Sequence, residues 1–199
     1  MQNLKSSCER LFRLYYKHNQ EPDLDTLYNL LNSIHSLNDI FNRTLKDNFF
    51  ESDEFIALKA LRNLYHHQSE IQNEFKLIPI EDGSVFISDL MYLCIIKKSS
   101  VEEAIQNIDK KYREEEREKI NKVFKWYNHV VNINPSIFNF VVKVYEKMES
   151  HGISLSTDDY LEFKNSYDFE IQNGYSHFIS GDIRCHPNDM GKIYNMEFS

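Results

Sequence analysis

The chain has 199 residues, 41% of them apolar and 27% charged, with only 5 glycines and 4 prolines. Such a chain buries roughly 70% of its unfolded surface without help from disulfides or metals, and its composition excludes a loop-rich β-sandwich and low-complexity disorder. Lysine plus arginine number 23 against 31 aspartate plus glutamate, a formal charge of −8. An acidic chain does not coat nucleic acid through a long-range field, so any such contact must come from a local cluster of cations.

Periodicity of three and four residues is the main signal along the chain. A first helix is predicted from about Leu4 to His18, with Leu4, Cys8, Leu11, Phe12 and Tyr15 on one stripe, and Pro22 interrupts it. Asp23 or Asp25 then caps a long second helix that repeats Leu27, Leu30, Leu31, Ile34, Leu37, Phe41 and Leu45. Ser52 caps a third, with Asp53 and Glu54 in the first turn, where the helix dipole favours acids. Its apolar stripe is Phe55, Leu58, Leu61, Leu64, Tyr65, Ile71 and Phe75.

Two short apolar runs, Phe75 to Ile80 and Val85 to Ile87, flank Glu81-Asp82-Gly83-Ser84 and predict a small hairpin or an extended excursion. Helix resumes near Asp89 in DLMYLCIIKK. Beyond Ser99-Ser100 the longest helical pattern runs from Val101 to about Asn132 and carries REEEREK at 113–119. Pro135 stands near the start of another helix, which His151-Gly152 stops. Ser156 or Thr157 caps a last one, DDYLEFKNSYDFEIQN. From Gly174 periodicity is lost, in a packed or mobile arm.

The predicted class is therefore all-α: a helical bundle with a long antiparallel helix pair, a small irregular or hairpin insertion, and an irregular C-terminal tail. A single domain over 1–199 is expected, with a core at about 4–75, additional helices over 88–172 and a tail over 173–199. Cys8, Cys94 and Cys185 are far apart and never form C-x-x-C, against a disulfide framework or a Cys-rich zinc site. The N-terminus has no apolar h-region, and no window approaches the roughly 18 uninterrupted apolar residues of a membrane span. A reduced, soluble, cytoplasmic protein with no membrane partner is expected.

Ala60 to His67 stands apart. At about 100° per residue, Arg62, His66 and Glu70 gather opposite the apolar stripe, with Arg62 and His66 only about 40° apart. Asn63 and His67 share the flank. One turn thus presents a fixed cation, an amide and two imidazoles. That inventory suits RNA cleavage without a metal, which needs a base for the ribose 2′-OH, an acid for the 5′-oxygen and a cation on the phosphorane. Histidine supplies the first two near neutrality, and arginine a planar fork for phosphate oxygens. One helix offers one such set; a two-fold dimer would place two sets face to face.

Arg62-Asn63-Leu64-Tyr65-His66-His67 resembles the R-x(4–6)-H motif of the HEPN superfamily, in the form arginine, polar residue, three residues, histidine. A long amphipathic helix followed by a motif-bearing helix with an apolar lead (FIALKAL) is similar too, and the resemblance covers residues 24–75. It implies an all-α bundle, a homodimer formed through the motif helices, and metal-independent endoribonuclease activity at the composite cleft, often in toxin–antitoxin or antiphage-defence systems. By motif position Arg62 and His67 carry over as catalytic, with Asn63 as the polar neighbour. His66 is the better helical neighbour of Arg62 and stands in reserve. RNA and an antitoxin or defence-system protein are the implied partners.

Blander readings accompany these residues. Arg62 and His66 also make a solvated i, i+4 pair with Glu70 as salt-bridge partner, and His67 a boundary histidine bonded to a carbonyl. His35 and Asp39, four apart near Asn38, Asn42 and Arg43, read as a wet face or as a carboxylate–histidine pair supporting the site. His177, Asp182, Cys185 and His186 have ligand chemistry but no recognisable metal spacing, so no metal and no cofactor are assigned. The 113–119 run reads as solvated surface. Trp126, Tyr127, Phe138 and Phe140 read as core or dimer-interface aromatics. Walker, G-x-G-x-x-G, G-x-S-x-G, H-E-x-x-H and EF-hand patterns do not occur. The second reading is a non-catalytic interaction or regulatory protein, for which an acidic surface is natural; a third is a nucleotide- or small-ligand-binding bundle.

Overall fold

Asp23 begins the second helix with a reciprocal cap: its carboxylate accepts from the Thr26 amide at 2.6 Å while the Thr26 hydroxyl oxygen accepts from the Asp23 amide at 3.0 Å. That cap separates α1 (Gln2–Gln20) from α2 (Leu24–Leu45), and the three-residue connection makes the two an antiparallel hairpin. The expected stripe is the buried one, with Leu4, Cys8, Leu11 and Phe12 of α1 meeting Leu27, Leu30, Ile34 and Leu37 of α2 in the core. Ser52 caps α3 (Asp53–His67) through its hydroxyl, which accepts from the Phe55 amide at 3.3 Å. In this computed structural model, residues 1–67, 75–79, 86–87, 89–90 and 92–185 are described. Glu70, Ile71, the 81–84 turn and His186 lie outside them.

The rest of the described chain comprises β1 (Phe75–Pro79), β2 (Phe86–Ile87), β3 (Tyr92–Lys97), α4 (Lys98–Gln106), α5 (Arg113–Val123), β4 (Lys125–Tyr127), β5 (Val130–Asn132), α6 (Asn134–Ser150), α7 (Asp158–Asn173) and β6 (Arg184–Cys185). Mostly helical, the molecule is the helical bundle with a small insertion that its periodicity predicts. The strands form an antiparallel sheet in the order β1-β3-β5-β4, and β2 pairs with β6. The two apolar runs around 75–87 are extended as expected, but they do not pair with each other, and Phe75 opens a strand rather than closing α3.

Two helical predictions give way to this sheet. Tyr92 to Ile96 are all buried, so the run has no polar face and no alternation to betray a strand. Its β-branched Ile95 and Ile96 suit a pleated surface covered on both sides. The single helix expected over 101–132 is two helices and a hairpin. Asp109 turns the chain, its carboxylate accepting from the Lys111 amide at 2.9 Å, and the Arg113 guanidinium ends α4 by donating to the carbonyls of Gln106 (2.6 Å) and Ile108 (2.9 Å). After α5, Asn128 at φ 47° makes the tight turn that pairs Trp126 with Val131. Ser99-Ser100 lies inside α4 instead of breaking a helix.

Helix α6 starts with Pro135 in its first turn and ends where Gly152 takes φ 64°. Thr157 precedes α7 with no side-chain cap, and Gly174 at φ 69° closes it. The start of the tail packs as an arm. Asn139 on α6 donates to the Ile179 carbonyl and accepts from its amide, both at 3.0 Å. Gly181 lies so close to the Pro135 ring that a Cβ there would collide with it. Among the described residues, no helix is long and apolar enough to cross a membrane.

Candidate functional site

Helix α3 buries Phe55, Leu58, Leu61 and Leu64 and packs against α2, α5 and α6. That docking fixes where its polar residues emerge. Arg62 is half-buried and turned toward α2, with Nε donating to the Asn32 side-chain oxygen at 3.1 Å and Nη1 donating to the Asn63 oxygen at 3.3 Å. Asn32 is itself oriented, because its amide nitrogen donates to the Tyr28 carbonyl at 3.1 Å and so leaves its oxygen for the guanidinium. Two of the five donors of Arg62 are thereby engaged in holding it still.

The α2 face that meets Arg62 carries His35 and Asp39, whose Nδ1 and carboxylate lie 3.7 Å apart. Burial lowers the His35 pKa from its ordinary value; the positive charges of Arg62 and Lys59 lower it further, against an opposing pull from Asp39. His35 therefore favours the neutral imidazole close to a fixed guanidinium. Lys59, one turn before Arg62, is held by Glu116 of α5 at 2.8 Å with both side chains largely covered. The expectation that 113–119 is solvated surface fails at Glu116 and at Arg113, which are structural, and holds for the Lys119–Glu115 pair on the exposed face.

Of the predicted site residues, Arg62 and Asn63 are in contact and half-buried, and His66 is exposed one turn beyond Arg62. His67 is the last residue of α3, and its side chain lies outside the described part of the structure. Asn63 also borders a small cavity of about 170 Å³ that Asn107 and Tyr112 line from the far side. Asn32 is the residue that local spacing missed: it stands thirty positions from Arg62, and only the packing of α2 on α3 brings it there. Its one advance signal is the polar row Asn32-His35-Asp39 at helical spacing on α2.

The other candidate clusters have partners of their own. His177 donates through Nδ1 to the Glu170 carboxylate at 2.7 Å and stacks on Tyr167, while Asp182 pairs with Lys125 at 3.1 Å. No group of three or more His, Cys, Asp or Glu able to hold a metal ion occurs among the described residues. Phe140 is core, packed on Phe49 and Phe55, whereas Phe138 borders a cleft. Set against known proteins, the chain matches no family model, no curated protein and no solved structure.

Proposed function

We propose that the chain is a metal-independent endoribonuclease of the HEPN type, a homodimer that cuts RNA where two copies of α3 meet. The observation that carries this reading is the half-buried Arg62 guanidinium, clamped between Asn32 and Asn63 beside a desolvated His35. A solvated surface arginine has no need of two oriented amides. An arginine that must meet a phosphorane in one fixed pose does, because electrostatic stabilisation of a transition state depends on donors that need no reorganisation.

In this reading the ribose 2′-oxygen attacks the adjacent phosphorus while an imidazole takes its proton. The 5′-oxygen departs with a proton from a second imidazole, leaving a 2′,3′-cyclic phosphate and a 5′-hydroxyl. Arg62 neutralises the charge that develops on the non-bridging oxygens, and Asn63 orients Arg62. His67, or His66 beside it, exchanges protons with substrate, and His35 is suited to the base role because its lowered pKa favours the neutral, proton-accepting imidazole.

The test is cleavage of a mixed-sequence RNA in EDTA by wild type, Arg62→Ala and His67→Ala proteins. Activity in EDTA that falls in both variants is the expected result. Unchanged cleavage in both, or complete loss in EDTA, removes the reading.

A further inference from the structure

Helices α1, α6 and α7 enclose a cleft of about 340 Å³, at the small end of ligand-binding pockets. Its walls are aromatic: Tyr15 and Tyr16 from α1, Phe163 and Tyr167 from α7. Its rim is acidic, with Asp159 and Glu162 toward one end of α7 and Glu170 toward the other, and no lysine or arginine lines it. Glu162 and Glu170 are held. Glu162 takes a hydrogen bond from Tyr16, which raises the tyrosine pKa, and Glu170 is fixed by His177. The rings are fixed as well, Phe163 lying 5.3 Å from Phe12 and Tyr167 sandwiched against Tyr145 and His177.

We infer that this cleft binds a linear aliphatic polyamine. Glu170 follows Glu162 by eight positions of helix, a rise of about 12 Å. Between them on α7 the lining is Phe163, Ser166 and Tyr167, largely ring carbon. A ligand that matches this pattern carries positive charge at both ends and methylenes between, the layout of spermidine. Ammonium groups are attracted both to carboxylates and to the faces of tyrosine and phenylalanine rings, most strongly where water is thinned out. A flat or anionic ligand meets the wrong charge at both ends. A compact divalent ion would leave the aromatic walls unused.

Calorimetric titration of the full chain with spermidine tests the assignment, with MgCl2 at equal ionic strength and a trilysine peptide as comparators. The expected result is one site per chain, weakened at least tenfold in the double variant Glu162→Gln/Glu170→Gln. The same site should be unchanged in Glu114→Gln/Glu118→Gln, which removes equal charge from α5. No saturable spermidine binding overturns the proposal. So does an equal loss in both double variants, the mark of a diffuse acidic surface, and so does tighter binding of Mg²⁺ or of the peptide. The variants retain every residue of the α2–α3 seam, so the outcome is independent of the nuclease reading.

Discussion

Two regions of the bundle are built from the same kind of amphipathic helix and hold charges of different sign in place. On the α2–α3 side, Arg62 and Lys59 are drawn in toward the helix seam and held by amides and by Glu116. At the α1–α6–α7 cleft the charged groups beside the aromatic rings are carboxylates. A formal charge of −8 therefore does not describe the surface that a ligand meets. What decides local electrostatics is which charges packing fixes in a partly covered place, because exposed charges farther than about 8–10 Å are screened. The cationic side suits a phosphate and the acidic side an amine.

The sharpest way to break this contrast is to remove the fixed cation. Arg62→Ala is expected to lower RNA cleavage by about 10²–10³-fold, the usual cost of losing one preorganised oxyanion donor. The unfolding midpoint should move little, since the two hydrogen bonds lost are only part-buried. Arg62→Lys should recover only part of the rate, because an ammonium cannot hold Asn32 and Asn63 in the same planar geometry. Equal rates for all three proteins would mean that the clamp is purely structural.

A second prediction separates two histidines that are both driven toward the neutral form. His18 is buried, bonded through Nδ1 to the Thr26 hydroxyl at 2.7 Å, and its pKa is pushed down to about 4 by loss of water. No nearby fixed cation is needed for that shift. Between about pH 6.5 and pH 4 the unfolded chain takes up a proton at this position and the folded chain does not, so stability falls as the pH falls through that window. The full effect is on the order of 3 kcal/mol. Urea unfolding at pH 7 and pH 4.5 should show it, and His18→Phe, which also fills the contact with Tyr92, should flatten it.

The sequence made the local half of this picture legible. Asp23 and Ser52 cap the helices they were expected to begin, because a cap acts within one helical turn. The strands were hidden for two physical reasons. Tyr92 to Ile96 is covered on both faces and so shows no period, and β4 and β5 are three residues each, too short for a pattern to accumulate. The Tyr127-Asn128-His129 turn was the available warning, since asparagine tolerates positive φ. The clamp on Arg62 was out of reach in principle, because which face of α2 meets α3 follows from docking and from no short spacing.

Smaller effects sharpen the same contrast. Asn32→Ala removes the acceptor that aims Nε without touching the charge, and about a tenfold loss of cleavage is expected, with RNA binding by a non-cleavable analogue nearly unchanged. A loss of binding as large as the loss of rate would make Asn32 part of the recognition surface instead.

The smallest expected effect concerns Lys59. Its charge lowers the His35 pKa less than burial or Arg62 does, and Glu116 at 2.8 Å offsets part of it. In Lys59→Gln the amide still reaches Glu116, but the cation is gone, so His35 should protonate at a higher pH. If His35 is the base that accepts the 2′-OH proton, the acidic limb of the cleavage profile moves up by the same amount, because the base is lost sooner as pH falls. A ring-proton NMR titration of His35 measures its pKa directly. Should that pKa rise while the limb stays fixed, the base lies on α3 and His35 serves only to support Arg62.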